Sequence, residues 1–191
     1  DSISERRAPT AGRANEAIQM DKEERISYRE RIETSARIGA EEYGLTVGIH
    51  AHAAGFMDFE PELERLLSEV DEKILKICFD TGHHSYAGFD PVKFMQKYIS
   101  RISYMHFKDV NPDIKQNVIE NRTGFYDACG QGIFCNLGDG DVDFPTVRKI
   151  LLENEFEGWC TVEQDCDPLL DPNPLKDAQV NKDYLESIGF T

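Results

Sequence analysis

The sequence predicts an α/β protein built from parallel βα units. Four short apolar segments occur along the chain, and an amphipathic helical segment lies between each one and the next. Strands that are covered on both faces by helices are continuously apolar rather than alternating. The predicted strands cover residues 45–50, 74–79, 102–107 and 159–163. Both an open doubly wound sheet and a (β/α)8 barrel have this pattern, so the pattern alone does not choose between them.

The helical segments carry residues that are typical of helix ends. Gly44 follows the first helix at the position of a C-cap glycine. Asp90 and Pro91 supply an N-cap and a first-turn proline for the third helix, and Asp143 caps the fourth. Helices are therefore predicted over residues 22–43, over 61–70, after 90, after 143, and over about 174–188.

The length, the net charge and the apolar segments of the chain limit the kinds of molecule that it is expected to bind. The 191 residues suffice for one domain with a sizeable core. Thirty-six acidic residues against twenty-one basic ones give a net charge of −15, which repels phosphate backbones and argues against nucleic acid. No apolar run approaches the length of a membrane span, so no membrane partner is expected. A small neutral substrate is the expected ligand.

The cysteines and the first residues indicate a cytoplasmic protein. The five cysteines are odd in number and form no CxxC pair, and Cys78 and Cys160 lie inside predicted strands. Buried cysteine of this kind acts as a small hydrophobic residue, so a reduced protein is predicted. Residues 1–21 are polar with scattered arginines and do not resemble a secretory signal.

Polar side chains collect where the predicted strands end. Each has an ordinary structural explanation by itself, because single histidines are often structural and Asp-Thr-Gly is a common turn. In a parallel barrel, however, the carboxyl ends of the strands form the rim on which active sites are built. Mixed imidazole and carboxylate ligands suit Mn²⁺, Co²⁺, Fe²⁺ or Zn²⁺, so this convergence favours a barrel with a metal site. The residues are His50, His52, Asp80, His83, His84, His106 and Glu163.

A long segment between Lys108 and Gly140 separates the third strand from the fourth helix. It holds five of the fourteen glycines, and on the catalytic rim it would form a lid over the substrate; an insertion without function is the alternative. Residues 138–143 alternate acids with glycine, but they lack the glycine and glutamate of a calcium-binding EF-hand loop. We interpret them as a turn that leads to the Asp143 cap.

Five stretches of the sequence resemble a known superfamily. They are HAHAAGFMD (50–58), CFDTGHHSYAGFDPVKFM (78–95), ISYMHFKDV (102–110), GIFCNLGDGDVDF (132–144) and GWCTVEQDCDP (158–168). Over about residues 40–188 the chain resembles the xylose-isomerase-like TIM barrels, which include sugar isomerases, epimerases and endonuclease IV, and among them the inosose dehydratases. The resemblance implies a (β/α)8 barrel of which only the last four βα units are present. Residues 22–191 would be its C-terminal half, and residues 1–21 a loop of the missing half.

The resemblance also implies roles for the rim residues. Asp80, His106 and Glu163 are expected metal ligands, and many superfamily members add a glutamate where this chain has only His50 and His52. We count His52 as the fourth ligand, with the choice between the two histidines open. Mn²⁺ or Co²⁺ is the expected metal, with Zn²⁺ or Fe²⁺ as alternatives. The expected catalytic residues are His83, Glu163 and Lys108, and the expected substrate contacts are His50, His52, His83 and Lys108. The resemblance leaves two alternatives open, a contact of His83 with the metal and the orientation of Glu163 by Lys108.

The activity implied by the resemblance is dehydration of a keto-inositol or a similar polyol ketone. A metal would polarise the carbonyl, a base would take the neighbouring proton, and a hydroxyl would leave as water. Epimerisation or isomerisation at the same site is the alternative, and a non-catalytic barrel fragment is an alternative of another class. Half a barrel exposes two sheet edges, so we expect a homo-oligomer or pairing with a missing N-terminal half.

Overall fold

A parallel sheet of four strands organises the molecule. The computed structural model describes residues 3–167, 169 and 173–190. The strands pair in the order β1-β2-β3-β6, and every pair is parallel. A second sheet pairs β4 antiparallel with β5. The strands are β1 (Gly48–His50), β2 (Lys76–Asp80), β3 (Ile102–Phe107), β4 (Asp109–Val110), β5 (Phe134–Cys135) and β6 (Trp159–Val162).

Helices connect the strands of the main sheet, which confirms the predicted parallel βα pattern. That these are the last four units of an eight-unit barrel stays a prediction. No helix in the described part of the chain has both the length and the apolar character needed to cross a membrane. The helices are α1 (Lys22–Arg37), α2 (Glu60–Glu69), α3 (Thr81–Tyr86), α4 (Pro91–Tyr98), α5 (Pro112–Glu120), α6 (Phe125–Gly130), α7 (Phe144–Glu153) and α8 (Pro174–Ser187).

The predicted helix ends are confirmed by their hydrogen bonds. The Asp90 carboxylate accepts from the Val92 amide at 3.0 Å, and the Asp143 carboxylate accepts from the Thr146 amide at 3.0 Å. Gly44 has a φ of +65°, the left-handed conformation that suits glycine after a helix. Strand β1 is shorter than predicted: its register with β2 begins at Gly48, although the Val47 carbonyl still accepts a hydrogen bond of 2.8 Å from the Lys76 amide.

One face of the sheet packs against the helices. Alternate residues of β2 and β3 point to this face, as the period of a strand requires. The face forms one large hydrophobic core with the apolar sides of α2, α4 and α7. The strand residues in this core are all buried: Ile49, Ile77, Phe79, Ile102, Met105 and Phe107.

The long segment between β3 and α7 is folded rather than loose. It contains α5, α6 and the β4–β5 pair, and Phe125 and Phe134 anchor a second hydrophobic cluster. Its final turn wraps around Asp109, whose carboxylate accepts hydrogen bonds from the amides of Gly138, Gly140 and Val142 at 2.8–3.1 Å. The predicted turn before Asp143 is therefore confirmed, and Asp109 is the residue that stabilises it. The lid function stays a prediction.

The first described residues pack on the domain. Arg7 is buried, and its guanidinium binds the Glu62 carboxylate through two hydrogen bonds of 2.8 and 3.0 Å. The same guanidinium lies over the rings of Phe56 and Phe59. A bidentate pair of this kind fixes both orientation and position. The polar N-terminal segment is thus attached to the domain through α2, while its assignment to a missing half stays a prediction.

Candidate metal centre

Four neighbouring strands bring polar side chains to one edge of the sheet. β1 ends at His50, β2 ends at Asp80, and β3 carries His106 one residue before its end. Asp80 lies directly opposite His106 in the register of β2 and β3. Glu163 follows β6, and its amide still donates to the Phe107 carbonyl at 3.0 Å. The parallel register therefore places these side chains side by side.

Their ligand atoms converge on the Asp80 carboxylate. His50 Nε2 lies 3.6 Å and His106 Nδ1 lies 3.5 Å from Asp80 Oδ2, and His106 Nδ1 lies 2.6 Å from Glu163 Oε2. Asp80 Oδ2 and His50 Nε2 are buried, yet neither has a hydrogen-bond partner. Buried polar atoms without partners are rare and costly, so atoms of this kind facing one point call for a cation. Two imidazoles and two carboxylates fit a divalent transition metal.

The Asp80 carboxylate has two separate tasks. Its Oδ1 accepts from the His83 amide at 2.8 Å and so caps α3. This hydrogen bond fixes the carboxylate and leaves Oδ2 directed at the histidines. Burial raises the pKa of Asp80, but the neighbouring His83 and the Lys108 ammonium lower it more, so that the pKa lies well below its usual range. Asp80 is therefore an anion in the folded protein.

Lys108 is the positive centre of the cluster. Its side chain is 0% exposed, and Nζ lies 2.9 Å from His83 Nε2, 2.8 Å from Glu163 Oε1 and 2.9 Å from Asp165 Oδ2. An ammonium has three hydrogens, and these three acceptors match them. Burial lowers the pKa of Lys108, but the surrounding carboxylates raise it more, so the pKa lies above its usual value. Lys108 therefore stays charged although it is buried.

The Asp-Thr-Gly stretch after β2 holds Lys108 in place. The Thr81 hydroxyl donates to the Lys108 carbonyl at 2.7 Å and accepts from the Lys108 amide at 3.0 Å. A Cβ on Gly82 would approach the side chain of Lys108 to 2.4 Å, closer than any real Cβ contact. Glycine is therefore required at position 82, because the stem of Lys108 passes over its backbone.

His52 and His83 form the second half of the cluster. Their ring centroids are 3.8 Å apart, and together with Asp165 they place one ligand atom each within 4.8 Å of the others. His52 Nδ1 lies 2.7 Å from the Ala53 carbonyl, so Nδ1 carries the proton and Nε2 presents its lone pair. Burial lowers the pKa of His52, and it lowers that of His83 further. Both imidazoles are therefore neutral near pH 7.

The structure brings together six of the seven rim residues, all except His84, but it groups them differently from the expectation. Among the sets of ligand atoms that lie within 4.8 Å of one another, His50 is grouped with Asp80 and His106, whereas His52, the expected fourth ligand, is grouped with His83 and Asp165. The reason is that β1 ends at His50, and the chain turns away from the sheet before His52. A third set, formed by Asp80, His83 and Glu163, connects these two sets. His84 lies apart from this group, with its ring against Phe94 on the core side.

Asp165 is the functional candidate that the sequence analysis missed. It contacts both the Lys108 ammonium, at 2.9 Å, and His83 Nε2, at 3.6 Å. A signal was available: Asp165 is two residues after Glu163, and in an extended chain such residues face the same side. Its carboxylate was overlooked because it lies beyond the last predicted strand residue.

The chain is similar to curated proteins over more than three quarters of its length. It is 35% identical over 147 residues to an inosose dehydratase of Clostridium botulinum (strain Alaska E43 / Type E3), covering 77% of this chain and 49% of that protein. It is 36% identical over 152 residues to an inosose dehydratase of Clostridium beijerinckii, and the match covers 79% of this chain and 51% of that protein. The chain thus spans about half the length of the curated relatives it matches.

Solved structures share the fold at low sequence identity. The probable 3-DHS dehydratase AsbF of Bacillus anthracis matches with a TM-score of 0.65 and 23% identity, over 84% of this chain and 57% of that one. The IOLI protein, solved with a zinc atom bound, matches with a TM-score of 0.65 and 15% identity. The match covers 90% of this chain and 58% of the IOLI chain. Residues 8–188 match the family described as xylose isomerase-like TIM barrel. The chain therefore belongs to the xylose isomerase-like TIM barrel family.

Proposed function

We propose that this chain carries the metal-binding part of the active site of a dehydratase that acts on inosose or a similar keto-polyol. The observation that carries the proposal is that His50 Nε2 and His106 Nδ1 face Oδ2 of buried Asp80 at 3.6 and 3.5 Å, with Glu163 Oε2 2.6 Å from His106 Nδ1. The curated relatives named inosose dehydratase support the substrate class. In this proposal His50 replaces His52 as the fourth ligand, and Mn²⁺ or Co²⁺ is the expected metal, with Zn²⁺ or Fe²⁺ as alternatives.

The metal would act as a Lewis acid that acidifies the C–H bond next to the substrate carbonyl. The side chains that remain partly open to solvent are those that can meet a substrate, and they include His50, His106 and Glu163. Lys108 is fully buried with its donors occupied. We therefore assign Lys108 to the positioning of Glu163 and Asp165, instead of the substrate contact expected from the resemblance.

His52 is our candidate for the proton acceptor. It is half-buried and neutral, and its Nε2 lone pair is available because Nδ1 donates to the Ala53 carbonyl. His83, by contrast, is 2% exposed, and its Nε2 accepts from Lys108. In the proposed reaction His52 takes the proton next to the carbonyl, the electron pair forms the C=C bond, and the hydroxyl leaves. The proton is returned to the departing hydroxyl, so that the sum is loss of one water.

Metal content tests the centre directly. Elemental analysis of the purified chain should find one divalent metal per chain, and Asp80→Ala or Glu163→Gln should reduce it to nearly none. His84→Gln serves as the control, because His84 is a buried histidine outside the cluster and its loss should leave the metal in place. Unchanged metal content in both Asp80→Ala and Glu163→Gln would contradict the proposed centre.

The reaction is tested on 2-keto-myo-inositol in D₂O, with an active full-length relative that carries the same motifs. A dehydratase gives a product that has lost one water and gained a C=C bond, whereas an epimerase or isomerase gives an epimer or isomer of unchanged composition that has taken up deuterium. Replacing the histidine equivalent to His52 by alanine should lower turnover by roughly 10²–10⁴, the contribution of a general base, while the metal stays bound. A larger loss for the His83 equivalent, with the His52 equivalent dispensable, would reverse this assignment.

A further inference from the structure

The site contains more ligand groups than one metal uses. His52, His83 and Asp165 bring their ligand atoms within 4.8 Å of one another without sharing a residue with the group of His50, Asp80 and His106. Two imidazoles and a carboxylate are a sufficient set for a divalent transition metal. The residues for a second cation are therefore present beside the first.

The Lys108 ammonium occupies the position where that second cation would bind. Nζ lies 2.9 Å from His83 Nε2 and 2.9 Å from Asp165 Oδ2, and 2.8 Å from Glu163 Oε1 on the side of the first centre. These are hydrogen-bond distances, whereas a transition metal would need about 2.0–2.2 Å to the same atoms. An ammonium thus satisfies these ligands, and while it is there a metal ion cannot approach them.

Charge balance supports the same view. Asp80, Glu163 and Asp165 contribute three negative charges, all within contact of Lys108. One divalent ion and one ammonium together neutralise three carboxylates. Without the ammonium, a single metal would leave one uncompensated negative charge at a largely buried place, where charge interactions are strong. That excess charge would attract a further cation.

The fold fixes Lys108 in this position. Glycine at position 82 makes room for its stem, and the Phe134 ring lies 4.9 Å from Nζ. His52 Nδ1 lies 2.7 Å from the Ala53 carbonyl, so the Nε2 atom of His52 is free to bind a metal.

We propose that the Lys108 ammonium takes the place of a second divalent cation, so that the site holds one metal, and that removing this charge opens a second metal site formed by His52, His83 and Asp165. The inference rests on the proposed metal centre, because the first ion is assumed to occupy the group around Asp80.

The test counts bound Mn²⁺. Equilibrium dialysis of the wild-type chain against millimolar Mn²⁺ should give one ion per chain, and Lys108→Met, which keeps the length of the apolar stem, should give two. The control is Lys115→Met, since Lys115 also contacts a carboxylate, that of Asp141 at 3.2 Å, but lies outside the cluster. Lys115→Met should bind one Mn²⁺ ion per chain, as the wild type does. The double variant Lys108→Met/Asp165→Asn should return to one, because the second group loses a ligand.

Paramagnetic resonance supplies a second readout. Two Mn²⁺ ions this close couple magnetically, so the second equivalent should weaken the six-line signal of the first in Lys108→Met. If Lys108→Met does not fold by circular dichroism, Lys108→Gln keeps a hydrogen-bond donor to the carboxylates and removes the charge. Two ions in the wild type, or a folded Lys108 variant that binds no more ions than the wild type, would overturn the inference. No ion in the wild type would instead contradict the proposed centre, and then only an ion gained on loss of Lys108 would support the inference.

Discussion

The two faces of the main sheet differ, although they are made of the same strands. On one face, alternate residues of β2 and β3 are apolar and buried under helices. On the other face, the intervening residues are polar or small at the carboxyl ends and open to solvent near the edge strand β6, where Trp159 is 78% exposed. The open face carries Cys78, Asp80, Tyr104, His106, Trp159 and Thr161.

In the strands of the main sheet, therefore, alternate residues face the hydrophobic core, and the residues between them face the candidate site. The covered face supplies the free energy of folding through burial of apolar surface. The open face supplies ligands, and it is stable only because its carboxylates and imidazoles are paired around Lys108 and Asp80. Parallel sheets are normally covered on both faces, so the open part around β6 is unusual in this fold class.

Phe79→Ala should give the largest effect on stability. Phe79 is buried in the core and stacks on Phe94 with ring centroids 5.0 Å apart. Truncating a buried phenylalanine costs about 3–5 kcal/mol, which urea unfolding would measure. Tyr104→Phe is the control on the open face, because it removes only a partly exposed hydroxyl bond to Thr161 and should cost about 0.5–1.5 kcal/mol. Equal losses would mean that the two faces do not differ as described.

Asp58→Asn should raise the free energy of unfolding relative to the wild type, and by more as the pH rises. Asp58 is buried, only its Oδ2 is hydrogen bonded, to the Ala54 amide, and burial raises its pKa to about 7. Its ordinary pKa is 3.8, so between pH 4 and 7 the folded chain binds a proton that the unfolded chain does not. Wild-type stability should therefore fall as pH rises, by about 3 kcal/mol between pH 5 and 8, and Asp58→Asn should remove this loss.

The control for that prediction is Asp90→Asn. Asp90 is a helix cap whose pKa is lowered, with burial opposing the effect of its amide and lysine contacts. The Asp90 carboxyl is ionised in both the folded and the unfolded chain from pH 5 to 8, and asparagine caps a helix as well as aspartate does. The difference in free energy of unfolding between Asp90→Asn and the wild type should therefore stay constant from pH 5 to 8. A flat curve for Asp58→Asn as well would mean that Asp58 is ionised in the folded protein.

Trp159→Glu should have the smallest effect on the stability of a single chain, within about 0.5 kcal/mol, because the side chain is exposed. Its effect should be on association. We expect the wild-type chain to self-associate through the open face, and Trp159→Glu to shift sedimentation toward the monomer. Leu152→Glu is the matched control, since Leu152 is also an exposed apolar side chain but lies on α7. A monomeric wild type would contradict the expectation.

Much of the fold could be predicted from local patterns. Strand β3 has the predicted bounds, and the caps at Asp90 and Asp143 are where their side chains indicated. Such features depend on neighbours in the chain, so they can be read without tertiary knowledge. The short helix α3 was missed, because Asp-Thr-Gly also fits a simple turn and the bond from the His83 amide to Asp80 is needed to tell them apart.

Which residues lie at the strand ends follows from the order of apolar and polar residues along the chain, because that order fixes strand length and side-chain alternation. How these residues group depends on tertiary packing, which places His50 rather than His52 beside Asp80, and Asp165 beside Lys108. Distances between side chains on different strands depend on register and on where each chain leaves the sheet, and no local pattern encodes either of these.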